Sequence, residues 1–239
     1  MNRNRKTAVI VGVLFITATV AGVVGGMLSL AFTGPSNAPD YFSNISANVN
    51  QLTTSGIFIL IMGFAAAGIG IMMYPILRKH NETLAFGFAA FRITECILFS
   101  VSVVSLLSIL TLSQEFVKAG APDASHLQAI GTLLQQGQYW AYHIGTISFG
   151  LAAAMFYYSL YKSKLIPRWL SGWGLIGTPL WFAVSFLIMF GSIRESLETF
   201  FYLPIAVNEM VLAVWLMVKG FNPSAIASQS GKQMKTKLK

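Results

Sequence analysis

Six long apolar stretches separated by hydrophilic joints constrain this chain more than any other feature. They fall at roughly Thr7–Phe32, Ser55–Leu77, Leu84–Leu112, Tyr139–Tyr161, Leu170–Phe190 and Phe200–Lys219. Each reaches the ~20 residues that an α-helix needs to cross about 30 Å of hydrocarbon. Hydrophobic residues make up 55% of the chain and charged residues only 10%. A soluble domain carries about 25% charged residues, so the chain lacks the material for a solvated surface. The expected fold class is an all-α membrane protein, a six-transmembrane-helix bundle. The first apolar run follows Arg3, Arg5 and Lys6 as a signal peptide would, but it is about twice the length of a signal core and reads as an uncleaved helix.

Orientation follows from the basic residues. With the N-terminus cytoplasmic, 13 of the 16 Lys and Arg lie on that side, Lys118 and Arg194 on the other, and Arg92 within a span. This asymmetry is the positive-inside pattern. It places both termini in the cytoplasm and requires an even number of spans. The net charge of +8 is thus largely a topology determinant, not a nucleic-acid footprint. Residues 1–221 read as one transmembrane domain, and residues 222–239 as a basic, disordered cytoplasmic tail. The tail's Lys232, Lys235, Lys237 and Lys239 either rest on anionic lipid headgroups, each contributing about 1 kcal/mol near the surface, or stay solvated.

The joints differ in character. Arg78–Thr83 and Lys162–Trp169 are short and basic, as tight cytoplasmic hairpins require. On the outer side, Leu127, Ile130 and Leu134 share one helical face within Asp123–Gln138, with Asp123 or Ser125 able to cap its start. That pattern predicts a short helix lying on the outer interface or closing an external cavity. Small residues at Gly22 and Gly26, and at Ala66 and Gly70, predict close helix–helix approach. Pro179 and Pro204 fall inside spans and predict bends.

Most catalytic chemistry has no foothold here. A single cysteine, Cys96, permits no internal disulfide. Of three histidines only His143 lies within a span, which excludes a haem held by two intramembrane histidines. No zinc-binding His-Glu-x-x-His, phosphate-cradling glycine loop or Gly-x-Ser-x-Gly elbow occurs. The sequence therefore implies no cofactor and no metal, and an enzyme is the least supported class.

Three ionisable residues remain deep inside the bilayer. Arg92 and Glu95 stand three apart and share a helix face; Glu209 sits mid-way along the sixth span. At 1.5 Å per residue they lie about 12, 16 and 15 Å from the cytoplasmic ends, a common depth near the midplane, where each unpaired charge costs at least ~2.5–3.5 kcal/mol. The coincidence predicts that the third and sixth spans are neighbours with Arg92 between the two carboxylates. Asn208 could add a polar contact. His143, about 6 Å from the outer boundary, belongs to another layer, with Tyr139, Trp140 and Tyr142 around it. Two carboxylates and one guanidinium do not balance. Either one glutamate is protonated, or water or a cationic ligand reaches the site. The cluster reads as a carrier or ligand site, or alternatively as a staple fixing helix register in a structural or accessory protein.

The stretch Met73-Tyr-Pro-Ile-Leu-Arg-Lys-His-Asn-Glu-Thr-Leu-Ala-Phe-Gly-Phe-Ala-Ala-Phe-Arg-Ile-Thr-Glu95, with Trp169-Leu-Ser-Gly-Trp-Gly-Leu-Ile-Gly177 and Asn208-Glu-Met-Val-Leu-Ala-Val-Trp-Leu-Met-Val-Lys-Gly-Phe221, resembles a bacterial membrane family, domain of unknown function 4386. The resemblance runs from the first span to Phe221. It implies a six-helix bacterial protein of the plasma membrane and brings no activity or site residues with it.

Overall fold

The computed structural model describes residues 2–30, 40–119, 124–192 and 198–227. Their regular structure is helical throughout: α1 (Arg3–Leu30), α2 (Tyr41–Ala47), α3 (Val49–Leu77), α4 (Glu82–Ala119), α5 (Ala124–Ser163), α6 (Arg168–Met189) and α7 (Glu198–Val218). The physical reason is the solvent: in hydrocarbon a segment must satisfy its own backbone polar groups, and a helix does so. All of these except the seven-residue α2 are long and apolar enough to span a membrane.

The six spanning helices pack in chain order, α1 on α3, α3 on α4, and so on to α6 on α7, and α7 returns to α1. They close a ring. Arg5 helps to fasten it: its guanidinium donates to the carbonyls of Leu216, Met217 and Val218 at 3.0, 2.6 and 3.1 Å, capping the end of α7. Gly220 follows with φ +72°, the left-handed turn that lets a helix stop there. The start of α1 and the end of α7 therefore share one end of the ring, here termed inner.

At that end the chain stays folded further than the sequence indicated. The Asn222 amide donates to Leu165 O at 2.8 Å, residues 223–227 form a last helical turn, and Ala225 and Ile226 pack on the core. The expected disordered tail does not begin at 222. Its four lysines lie outside the described residues.

The outer end also departs from expectation. Residues Ala124–Gln138 are no separate interfacial helix but the first turns of α5, which runs 40 residues, while α4 runs 38. At 1.5 Å per residue each is about twice the length of a span, so the pair projects beyond the bilayer as a helical hairpin. Its support is α2. Tyr41, Phe42 and Ile45 pack with Leu106, Ile109 and Leu110, and Leu134 leans on the same cluster. Gly131 leaves room for the Phe42 ring, which a Cβ there would meet at 2.5 Å. Ile130 is 47% exposed, because α2 covers a different face from the one the apolar spacing indicated.

Close helix seams position the interior. On α1 the tight contacts are at Gly12, against α7, and at Gly22 and Gly25; nothing approaches Gly26 within 4 Å. Ser55 donates to Gly25 O at 2.8 Å and locks α3 to α1. On α3, Gly70 sits so near α4 that an added Cβ would lie 3.0 Å from Arg92 Cβ. These contacts bring Arg92 against the Ala66 turn. Cys96 packs on the same seam opposite Gly63.

Candidate functional site

The Arg92 side chain leaves α4 toward the ring interior and is 4% exposed. Its Nε donates to Ala66 O at 3.3 Å, a carbonyl of α3. Its Nη1 pairs with Glu95 at 3.0 Å, and the guanidinium lies 5.5 Å from the Phe149 ring centroid on α5. Ion pair, carbonyl and aromatic face together hold one buried cation in place.

Glu209 reaches the interior from α7, with 6% exposure. Its carboxyl lies within electrostatic reach of both Arg92 and Glu95. The expected neighbour relation does not hold. In the ring α4 and α7 stand three places apart, on opposite sides, and they do not pack together. Among the described residues the ion pair of Arg92 is with Glu95 of its own helix, and Glu209 has none, although Glu209 feels the Arg92 charge. The Thr19 hydroxyl on α1 borders the Glu209 carboxyl without a formed hydrogen bond.

Asn208 does not join the cluster. It faces α6, where its Nδ2 donates to Leu170 O at 3.0 Å, and it is fully buried there. A helix turns about 100° per residue, so two consecutive polar residues of α7 serve different neighbours. His143 is 2% exposed. Its ring packs at a tilt on Tyr139 at 4.3 Å and meets Tyr142 edge-on at 5.5 Å, and its Nδ1 has no hydrogen-bond partner. The nearby hydroxyls of Thr146 and Ser148 donate to the carbonyls of His143 and Phe91.

Sequence reading missed the residues that surround Glu209. Tyr202 on α7 lies two turns before it on the same helix face, and Tyr157 on α5 faces it from the inner side; both feel the Glu209 and Arg92 charges. The Tyr157 ring owes its seat to Gly174 of α6, where a Cβ would lie 2.2 Å from it. Trp181 of α6 packs on Tyr202 with ring centroids 5.0 Å apart. The Tyr157 hydroxyl and Trp181 Nε1 are buried without a hydrogen-bond partner, as is Thr19 Oγ1. Buried polar atoms are seldom left so. The available signal was register: Tyr202 stands seven residues before Glu209.

A ring of six spanning helices around one ion pair and one unpaired carboxyl defines a polytopic helical membrane protein with a charged core. The family described as Domain of unknown function (DUF4386) matches residues 10–220, and the chain belongs to it. Neither a curated protein nor a solved structure matches the chain. The family brings no activity, so any functional reading rests on the chemistry of the site.

Proposed function

We propose that the protein is a small proton-coupled carrier or ligand-binding protein of the plasma membrane, with Glu209 as the group that exchanges its partner. One observation carries this reading. Arg92 is paired with Glu95, and among the described residues Glu209 forms no ion pair of its own, although it feels the Arg92 charge. A carboxyl so placed exists either protonated or with a cation beside it, and passing between those states is what a coupled carrier requires. The staple reading has in its favour the Arg92 hydrogen bond to Ala66 O of α3, while the ion pair itself lies within α4 and joins no two helices. Catalysis gains nothing from the hydroxyls near His143, whose protons are directed to backbone carbonyls.

Orientation is part of the proposal. The inner end gathers Arg3, Arg5, Lys6, Arg78, Lys79, Lys162, Lys164, Arg168 and Lys219, and the positive-inside rule makes it cytoplasmic. The lysines of the tail would then face the anionic inner leaflet.

Proton flux into proteoliposomes under an imposed pH gradient tests the reading. Wild-type protein should carry flux above empty vesicles, and Glu209→Gln should fall to background while keeping its thermal midpoint. Equal flux in both proteins, or none in wild type together with a large loss of stability in the variant, favours the staple.

A further inference from the structure

We propose that the groove at the inner end, between the α5–α6 turn and the close of α7, binds the phosphodiester headgroup of one anionic phospholipid of the adjoining leaflet. The proposal goes beyond the carrier reading and does not depend on Glu209.

Backbone geometry builds the groove. It measures about 440 Å³, within the ~300–1,000 Å³ of small-ligand sites. Asn222 joins its two sides: the backbone N–H donates to Leu165 O at 2.8 Å, and Nδ2 donates to Lys164 O at 3.3 Å. Each side turns through a left-handed residue, Gly220 at φ +72° and Lys164 at φ +55°. Glycine adopts that conformation freely, whereas a lysine there is strained. Such strain gathers at ligand clamps and other functional sites, and Lys164 lines the groove.

The lining selects an anion. Lys164, Arg168 and Lys219 border the groove, and among the described residues no acid does. None of the three forms an ion pair among the described residues. A neighbouring groove of about 460 Å³ shares Lys219, but its other cation is Arg5, which three carbonyls of α7 already engage. The uncommitted charge therefore gathers in the first groove. A phosphodiester suits it: an arginine fork grips two phosphate oxygens at once, and lysines act as point charges beside them.

The apolar part of the lining selects a lipid over a soluble phosphate. Trp215 and Ile166 line the groove next to the cations. Trp169, 56% exposed, meets Trp215 edge-on with ring centroids 6.5 Å apart. Tryptophans at the end of spanning helices sit at headgroup level. Beside Trp215 on α7, Val214 and Val218 are exposed, an apolar flank on which acyl chains can lie. A free phosphate uses the cations alone; a phospholipid uses the cations, the tryptophans and the flank together. Basic pockets between spanning helices take anionic headgroups in this way.

Native mass spectrometry of the full chain, released from detergent with added lipid, tests this. Phosphatidylglycerol is the anionic probe, phosphatidylcholine with the same acyl chains the zwitterionic control, and inorganic phosphate the soluble competitor. Wild type should retain phosphatidylglycerol at least ~10-fold more tightly than phosphatidylcholine, as expected for two or more cations near the surface. Excess inorganic phosphate should not displace it. Lys164→Gly and Lys219→Gln should each weaken retention about fivefold, and together about 25-fold. Lys79→Gln, which removes a charge at the same end but outside the groove, should leave it unchanged. Glycine suits the left-handed backbone at 164, so Lys164→Gly should keep its thermal midpoint, and lipid lost by that variant is not fold lost. The tail lysines are present in every variant and cancel from the comparison. Retention by the double variant equal to wild type, phosphatidylcholine held as tightly as phosphatidylglycerol, or no lipid held by wild type overturns the proposal. Displacement by inorganic phosphate assigns the groove to a soluble phosphate and overturns the lipid.

Discussion

Arg92 closes on Glu95, three residues along its own helix, at 3.0 Å, while the carboxyl of Glu209, which feels the charges of both, forms no ion pair among the described residues. Three charges at one depth had indicated a single interhelical network. The structure instead separates a settled pair from an unsettled group, and that separation underlies the functional reading.

Breaking the settled pair strands a buried charge. Arg92→Ala should cost about 3–5 kcal/mol in detergent unfolding, whereas replacing both partners by apolar residues of similar volume should cost far less. Denaturation of the three proteins in parallel checks this. A cost for Arg92→Ala no larger than that of the double variant contradicts the assignment.

Gly174→Ala drives a methyl into the Tyr157 ring, and Gly70→Ala presses on Arg92 Cβ and the Ala89 backbone. Each should cost about 1–3 kcal/mol by overpacking. Gly172, with nothing within 4 Å of an added Cβ, is the control, and Gly172→Ala should be neutral or slightly stabilising. Thermal midpoints of the three single variants decide the order.

Arg5→Ala removes three hydrogen bonds to the end of α7. Charged donors to carbonyls contribute about 1.5–3 kcal/mol, so amide exchange near 215–221 should quicken well before the rest of α7 does. Arg5→Lys should restore little, since an ammonium lacks the planar fork that reaches several carbonyls at once. Uniform exchange across α7 would contradict the capping role.

The outer hairpin has its own pH response. Burial pushes the Tyr41 hydroxyl up to about 12, so the folded hairpin favours the neutral phenol. Its contribution is complete below the ordinary tyrosine range near ~10 and is lost as pH rises from there through the folded value. Tyr41→Phe should abolish that loss and, because the hydroxyl has no partner, leave the hairpin at least as stable at neutral pH. Melting curves from pH 7 to 12 measure both.

The spans were legible because they depend on chain distance alone. Hydrocarbon thickness sets the length of an apolar run, and helical rise converts residue number into depth. Ring order was not legible: Arg92 and Glu209 can meet in an interior from neighbouring or from opposite helices, and depth does not distinguish the two. The extra turns of α4 and α5 escaped notice because hydropathy ends where the bilayer ends, while the helices continue on the support of Phe42 and α2. Tyr157, Trp181 and Tyr202 were passed over for a different reason. Aromatic residues in spans commonly serve the interface or lipid, and only the fold shows which of them turn inward.

The most direct test is infrared spectroscopy of the protonated-carboxyl carbonyl band, with glutamate isotopically labelled, across a pH titration in lipid. The account predicts a band that titrates in wild type and disappears in Glu209→Gln. A band that survives in Glu209→Gln would mean that Glu95 or another glutamate holds the proton, and would contradict the assignment of Glu209 as the exchanging group.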